Sequence, residues 1–306
     1  MEVESPIYTY EKNALSQLWS SSPERVLFSA DSIFVATRDP IFAMLSDRGR
    51  VRRRNEDTCA ASSLAGAFVV CDGMGGAAGG EVASHLATET FLSHLASHCS
   101  SSTRVHVRIQ AAIQAANRAV LRQAERAPQL SGMGTTLVGL LHPPAGGEER
   151  EEATPHREEG KGRSVASVWL VHVGDSRCYR WRGKGLERMT ADHSLVEEQV
   201  RAGQITAAQA MESPMRNLIT RVVGSHGTVE PEIRNCRSRE GDLYLLASDG
   251  LTRDLTDDEI ATILCRVPNV VTEAALYSAC KELVAAANAK GGGDNITVLL
   301  VAPNVS

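Results

Sequence analysis

The 306-residue sequence has no apolar run approaching the ~20 residues a membrane-spanning helix needs. Its opening residues, MEVESPIYTYEKN, lack the basic start and apolar core of a secretory leader. There is no CxxC pair, and the seven cysteines are an odd number, which fits reduced intracellular thiols better than a disulfide scaffold. Excess positive charge is also missing. At a formal net charge of −5, general affinity for nucleic acid or anionic membrane is not expected. Neither GxGxxG nor GxxxxGK[ST] occurs, so the usual dinucleotide and triphosphate loops are excluded. We read a soluble, cytoplasmic chain with neither a nucleic-acid nor a membrane partner, expected to be a monomer.

What is present is a core-forming chain, with 42% apolar residues and length enough for one large or two small domains. Residues 1–40 carry no usable motif and read as an extension of unknown role, with short candidate strands at 26–28 and 33–36. From residue 41 the pattern sharpens. Apolar runs at 67–71, 135–141, 165–173, 243–247 and 296–302 predict buried strands. Helical spacing is found at 81–98, 105–125, 257–265 and 272–290. Residues 142–163, HPPAGGEEREEATPHREEGKGR, hold Pro, Gly and charge with nothing to bury, and predict a solvated loop insertion. Strands grouped with consecutive helices point to α+β rather than an alternating doubly wound fold.

Three carboxylates mark strand boundaries. Asp72 ends the run AFVVCD and precedes a glycine-rich turn; Asp249 ends LYLLASDG; Asp294-Asn295 opens the last strand. Each alone is a common turn signal. Together, without His or Cys beside them, they suit a hard cation such as Mg²⁺ or Mn²⁺, and a metal site of that kind suggests phosphate chemistry. Arg52, ahead of Glu56 and Asp57, reads either as a surface ion pair or as a bidentate phosphate clamp. No Cys is followed six residues later by Arg, so the loop of cysteine-dependent phosphatases is absent.

The ordered set SDRGRVRRRNED, VCDGMGG, GMGTT, GDSR, ADHS, ASDGLT and GGGDNITV resembles the metal-dependent protein Ser/Thr phosphatases of the 2C type (the PPM family) in their compact bacterial form. The resemblance runs from Ala43 to Pro303. It implies a phosphatase domain over residues 41–304 with a central antiparallel β-sandwich flanked by helix pairs (α-β-β-α). It implies two Mn²⁺ or Mg²⁺ ions, with Asp72 bridging both and Gly73 offering its carbonyl. Asp249 and Asp294 complete the first ion's ligands, and Asp57 holds the second with Glu56 beside it. Asn295 orients Asp294, and Arg52 grips the phosphate. Asp72, Asp249 and Arg52 then form the catalytic set, with a metal-activated water as nucleophile. Partners would be phosphorylated Ser/Thr proteins and a cognate bacterial-type Ser/Thr kinase.

Two departures stand out. Met74 occupies the position where eukaryotic relatives often place His, so solvent or a metal-bound water serves as the acid. A third, weaker metal in many relatives uses acidic residues where this chain has Ser131 and Arg253, with Asp254 one position on. Arg253, if it points inward, replaces cation charge near the phosphate. Asp175 is expected to pair with Arg177, and His193 to cap or pack. Residues 194–221 correspond to a mobile flap in relatives. The alternative reading is a non-catalytic phospho-binding or scaffold member of the same fold, against which the complete ligand set argues. A small-molecule metallophosphatase is a third.

Overall fold

The computed structural model describes residues 40–75, 79–98, 103–142 and 165–303. The extension over residues 1–40 (Pro40 aside) with its candidate strands, and the insertion at 142–163 (His142 aside), lie outside the described residues.

The described chain forms two antiparallel sheets. One follows the order β1 (Ile41–Asp47), β11 (Ile296–Ala302), β10 (Leu243–Ala247), β7 (Arg177–Arg182), β8 (Gly185–Arg188). The other runs β2 (Asp57–Ser62), β3 (Ala67–Met74), β5 (Leu137–Leu141), β6 (Val165–Val173), β9 (Glu232–Arg239), with the two-residue β4 (Gly134–Thr135) paired to the end of β3. Helices α1 (Gly79–Ser97) and α2 (Val105–Arg126) cover the second sheet, and α5 (Asp249–Asp254), α6 (Asp257–Leu264) and α7 (Glu273–Ala289) lie on the first. Two short helices, α3 (Leu195–Arg201) and α4 (Ala207–Glu212), lie between β8 and β9. This is the α-β-β-α sandwich expected.

The central strands read as continuous apolar runs because both faces are covered. Side chains alternate across a strand. In β3, Ala67, Val69 and Cys71 face α1 and α2, while Phe68 and Val70 face the other sheet. In β10, Leu243, Leu245 and Ala247 pack under α5–α7, and Tyr244 and Leu246 fill the layer between sheets. Helix α2 buries Ile109, Ile113, Ala116 and Val120 at helical spacing. Thr256 and Glu259 close a capping box at the start of α6, and Thr272 caps α7.

The sequence pattern missed elements that are polar or short. β9 is an edge strand paired only with β6, and its exposed positions carry Arg and Asn; only Ile233 and Cys236 are apolar. β2 and β8 are mostly half-buried or exposed, so no apolar run announces them, whereas β1 does open with one, Ile41–Leu45. α5 begins directly at Asp249 and lasts six residues, too short for periodicity.

Phe91 on α1 is fully buried against β3 and α2, whereas Val107 on α2 is 44% exposed. Phe91→Ala is expected to cost about 3–5 kcal/mol in urea unfolding and Val107→Ala less than about 0.5 kcal/mol. Equal costs would contradict this assignment of the buried layer.

Candidate metal centre

Strand register brings five carboxylates to one end of the sandwich. Asp57 at the start of β2 is the register partner of Asp72 near the end of β3. In the other sheet, the end of β10 lies beside the start of β11 and of β7, with Ala247 opposite both Val298 and Arg177. Asp249, Asp294 and Asp175 follow or precede those positions by a few residues. Ser248 ties the sheets together here: its Oγ donates to Asp57 Oδ2 at 2.7 Å and accepts from the Thr297 amide at 3.0 Å.

Two glycines permit this approach. A Cβ on Gly73 would lie 2.0 Å from the Gly80 carbonyl oxygen and 2.5 Å from that of Glu56. A Cβ on Gly250 would lie 2.0 Å from the Asn295 carbonyl oxygen. No side chain fits at either, and the backbone after Asp72 and Asp249 is held against the opposing segment. Thr135 and Thr136 fix Asp72 from the other side, through Thr135 Oγ1 to the Asp72 carbonyl (2.8 Å) and the Asp72 amide to Thr136 Oγ1 (2.9 Å).

Two arginines face the cluster. Arg52 donates through Nη2 to Asp294 Oδ2 at 2.7 Å. Arg253 reaches the same oxygen through Nη1 at 2.8 Å and pairs with Asp249 through Nη2. Arg253 therefore does point inward. Their charge is not enough to offset the cost of burial and the repulsion that adds to it. Burial, then neighbouring carboxylates, push Asp57 up to about 7 despite its hydroxyl partners. Burial pushes Asp249 up to about 6 against the pull of Arg253, and burial with Asp249 and Asp192 pushes Asp175 up to about 7. Burial and the surrounding Asp57, Asp249, Asp175 and Asp294 hold Asp72 well above the carboxylate range.

The donor set fits divalent cations. Oδ1 of Asp57, Asp175 and Asp249 is buried without a hydrogen-bond partner. A buried anionic oxygen with no partner is costly, and an all-oxygen cluster of this charge matches Mg²⁺ or Mn²⁺.

One sequence expectation needs correcting, one is met by a different group, and one residue was missed. Arg177 does not pair with Asp175; its Nε and Nη2 fork onto Asp192 at 3.1 and 2.8 Å, leaving Asp175 among the cluster carboxylates. GDSR alone made the local pair look natural, and only the fold brings Asp192 close. The Asn295 side chain does not orient Asp294. Its Nδ2 donates to the carbonyls of Arg48 (2.9 Å) and Arg54 (2.8 Å), and its Oδ1 accepts from the Glu56 amide (2.8 Å), while Asp294 Oδ1 takes the Asn295 backbone N–H at 2.9 Å. Ser248, which the sequence reading did not single out, is the hydroxyl on Asp57.

Glu56 lies at the margin, its carboxyl raised by burial. Ser131 is exposed. Cys71 is fully buried and its thiol is pushed up to about 12, chiefly by burial, which removes it as a nucleophile. His172, His193 and Glu232 bring one ligand atom each within 4.8 Å. His193 Nδ1, however, accepts the Gly174 amide hydrogen at 3.1 Å and Arg221 Nη1 stands 3.4 Å from its Nε2, so both ring nitrogens face hydrogen-bond donors rather than an open ion site. The bridge Ser194–Ile219 closes the base of the segment carrying α3 and α4, on which Met211, Met215 and Leu218 are exposed.

A family model described as protein phosphatase 2C matches residues 48–151. The serine/threonine protein phosphatase PstP of Mycobacterium tuberculosis is 37% identical over 259 residues, covering 85% of this chain and 44% of that protein. This chain thus spans less than half the length of that relative. The serine/threonine phosphatase stp of Listeria welshimeri is 32% identical over 271 residues, 85% of this chain and 94% of the relative. A crystal structure of the PstP catalytic domain in complex with 2 manganese ions matches with a TM-score of 0.67 at 35% identity, covering 85% of this chain and 96% of that one. Sandwich and relatives together define the class, the α-β-β-α Ser/Thr phosphatases. The chain belongs to the protein phosphatase 2C family.

Carboxyl groups raised by folding hold protons that the unfolded chain has released, so their contribution to stability is lost as pH rises towards and through about 7. His172 and His193, pushed down to about 3 and about 4 by burial, act oppositely below about pH 6.5. In EDTA, the melting midpoint is therefore expected to fall between pH 6.5 and 8.5 by about 4 °C or more, and less steeply in Asp57→Asn. Mn²⁺ should hold it level. A flat or rising profile in EDTA would contradict the repulsive cluster.

Proposed function

We propose that this chain is a protein phosphatase that hydrolyses phosphoserine and phosphothreonine with two bound Mn²⁺ or Mg²⁺ ions. The observation that carries the proposal is the buried carboxylate cluster with orphaned oxygens, faced by two arginines. The kinship with serine/threonine phosphatases, one crystallised with manganese, supports it.

Asp72 would serve both ions with the Gly73 carbonyl beside it, and Asp249 and Asp294 would complete the holding of the first. Asp57 serves the second ion with Glu56 at its margin. Asp175 adds negative charge beside them. Divalent cations in such a cradle supply an activated water and neutralise phosphoryl charge. Arg52 spends one of its five N–H donors on Asp294 and is 48% exposed, so the rest of its fork is available to a phosphate. It orients the group in line and stabilises charge in the transition state. Buried Cys71 takes no part, so no covalent intermediate on cysteine forms. Arg253 stands as a fixed cation beside Asp249 and Asp294, taking the place of a third ion.

Residues 41–304 are the catalytic domain and 142–163 an insertion in it. The substrates are phosphoproteins made by a cognate Ser/Thr kinase, in cytoplasmic signalling, and the chain acts as a monomer. No helix among the described residues is long and apolar enough to cross a membrane.

Hydrolysis of p-nitrophenyl phosphate and of a phosphothreonine peptide should require Mn²⁺, stop in EDTA, and fall more than about 100-fold in Asp249→Asn. Inactivity of the folded, metal-loaded wild type on both substrates would favour the non-catalytic reading. Arg253→Asp should bind a further Mn²⁺ by calorimetry and shift the Mn²⁺ dependence of turnover. Unchanged stoichiometry and dependence would remove Arg253 from the role of built-in cation.

A further inference from the structure

The loop between β1 and β2 holds five arginines in seven positions, Arg48, Arg50, Arg52, Arg53 and Arg54, all exposed. The chain as a whole is acidic, at −5. Among the described residues, Arg52 is paired with Asp294, and Arg54 stands 3.9 Å from Glu81. Among the described residues, Arg48, Arg50 and Arg53 have no carboxylate within salt-bridge reach. A charge run of this kind is ordinarily a solvated face, and like charges this close repel one another. Three features set this one apart.

The strip is continuous with the phosphate-gripping Arg52. It is anchored rather than loose, since the Arg50 amide donates to the Gly292 carbonyl at 2.8 Å and the Asn295 side chain holds the carbonyls of Arg48 and Arg54. It also flanks the carboxylate cluster on two sides. Arg50 lies over Gly292, two residues before Asp294, where an added Cβ would meet Arg50 Cγ at 2.9 Å; Arg54 faces Glu81 in the first turn of α1. A peptide whose phosphate reaches Arg52 must lay its neighbouring residues along these guanidinium groups.

We propose that Arg50, Arg53 and Arg54 form a substrate-reading subsite that selects phosphoserine or phosphothreonine peptides with acidic residues beside the phosphate. This rests on the phosphatase reading of the same site. The recognition is electrostatic, with exposed guanidinium groups meeting Asp, Glu or a second phosphate. Each exposed pair is worth a factor of about 1.5–5, so two or three give about tenfold.

The test compares phosphothreonine peptides flanked by Glu, Ala or Lys on wild type and on Arg50→Glu/Arg53→Glu, with p-nitrophenyl phosphate as the control. Wild type should prefer Glu-flanked over Lys-flanked peptide by about tenfold in KM at low salt, and the preference should shrink at 0.5 M NaCl. The double variant should lose or reverse it, while p-nitrophenyl phosphate turnover stays within about twofold. Anisotropy of the same fluorescent peptides in EDTA reads the preference independently of turnover, so absent hydrolysis with retained Glu preference would sink the phosphatase reading alone. Equal handling of all three peptides by both readouts would overturn the subsite. So would an equal loss on peptide and p-nitrophenyl phosphate in the variant. Inhibition of wild type by heparin, relieved in the variant, without any discrimination among peptides would assign the strip to a general polyanion surface instead.

Discussion

Burial of carboxylates beside one another governs this end of the molecule. Asp57, Asp175 and Asp249 are raised to about 7, about 7 and about 6, and Asp72 well above the carboxylate range, chiefly because burial disfavours their charge and secondarily because they face one another. A fold does not assemble such a cluster for its own stability. It is tolerated because three hydrophobic layers elsewhere hold the sandwich, and because the cluster sits at the ends of strands, where only the Asp57–Asp72 pair belongs to a ladder. The cost of gathering negative charge is the affinity of the site for positive charge, whether from a divalent ion or from Arg52 and Arg253.

The interior was the most legible part of the chain. β6, β10 and β11 could be placed from apolar runs alone, because strands covered on both faces leave an uninterrupted signature. β9 and β2 were not legible, because an edge or half-exposed strand carries polar residues that look like loop. Asp72, Asp249 and Asp294 stood out as strand-end carboxylates. Asp57 had no such signal of its own and was placed by the family resemblance alone; its register with Asp72 supplies the physical reason.

Asp175 and Asn295 show the same limit in the other direction. In each, a neighbour in sequence offered a plausible partner, Arg177 or Asp294. In each, the fold supplied a better one from far away: Asp192 for Arg177, and the backbone of residues 48–56 for the Asn295 amide. Short-range pairing is a reasonable guess for an exposed pair. It fails at a site where five chain segments converge.

The Asn295 clasp has an evolutionary consequence. One carboxamide pins the carbonyls of Arg48 and Arg54, so the intervening stretch is a cassette fastened at both ends to the floor of the site. Between those clasps, side-chain identity can drift with little disturbance of Asp294 or Asp72, provided Arg52 is kept and Gly49 stays glycine, since a Cβ there would lie 2.1 Å from the Asp294 carbonyl oxygen. A lineage can thus retune which sequences it reads by rewriting a handful of loop codons while the inorganic machinery beneath stays untouched. Loss of the single amide at 295 would unfasten both together.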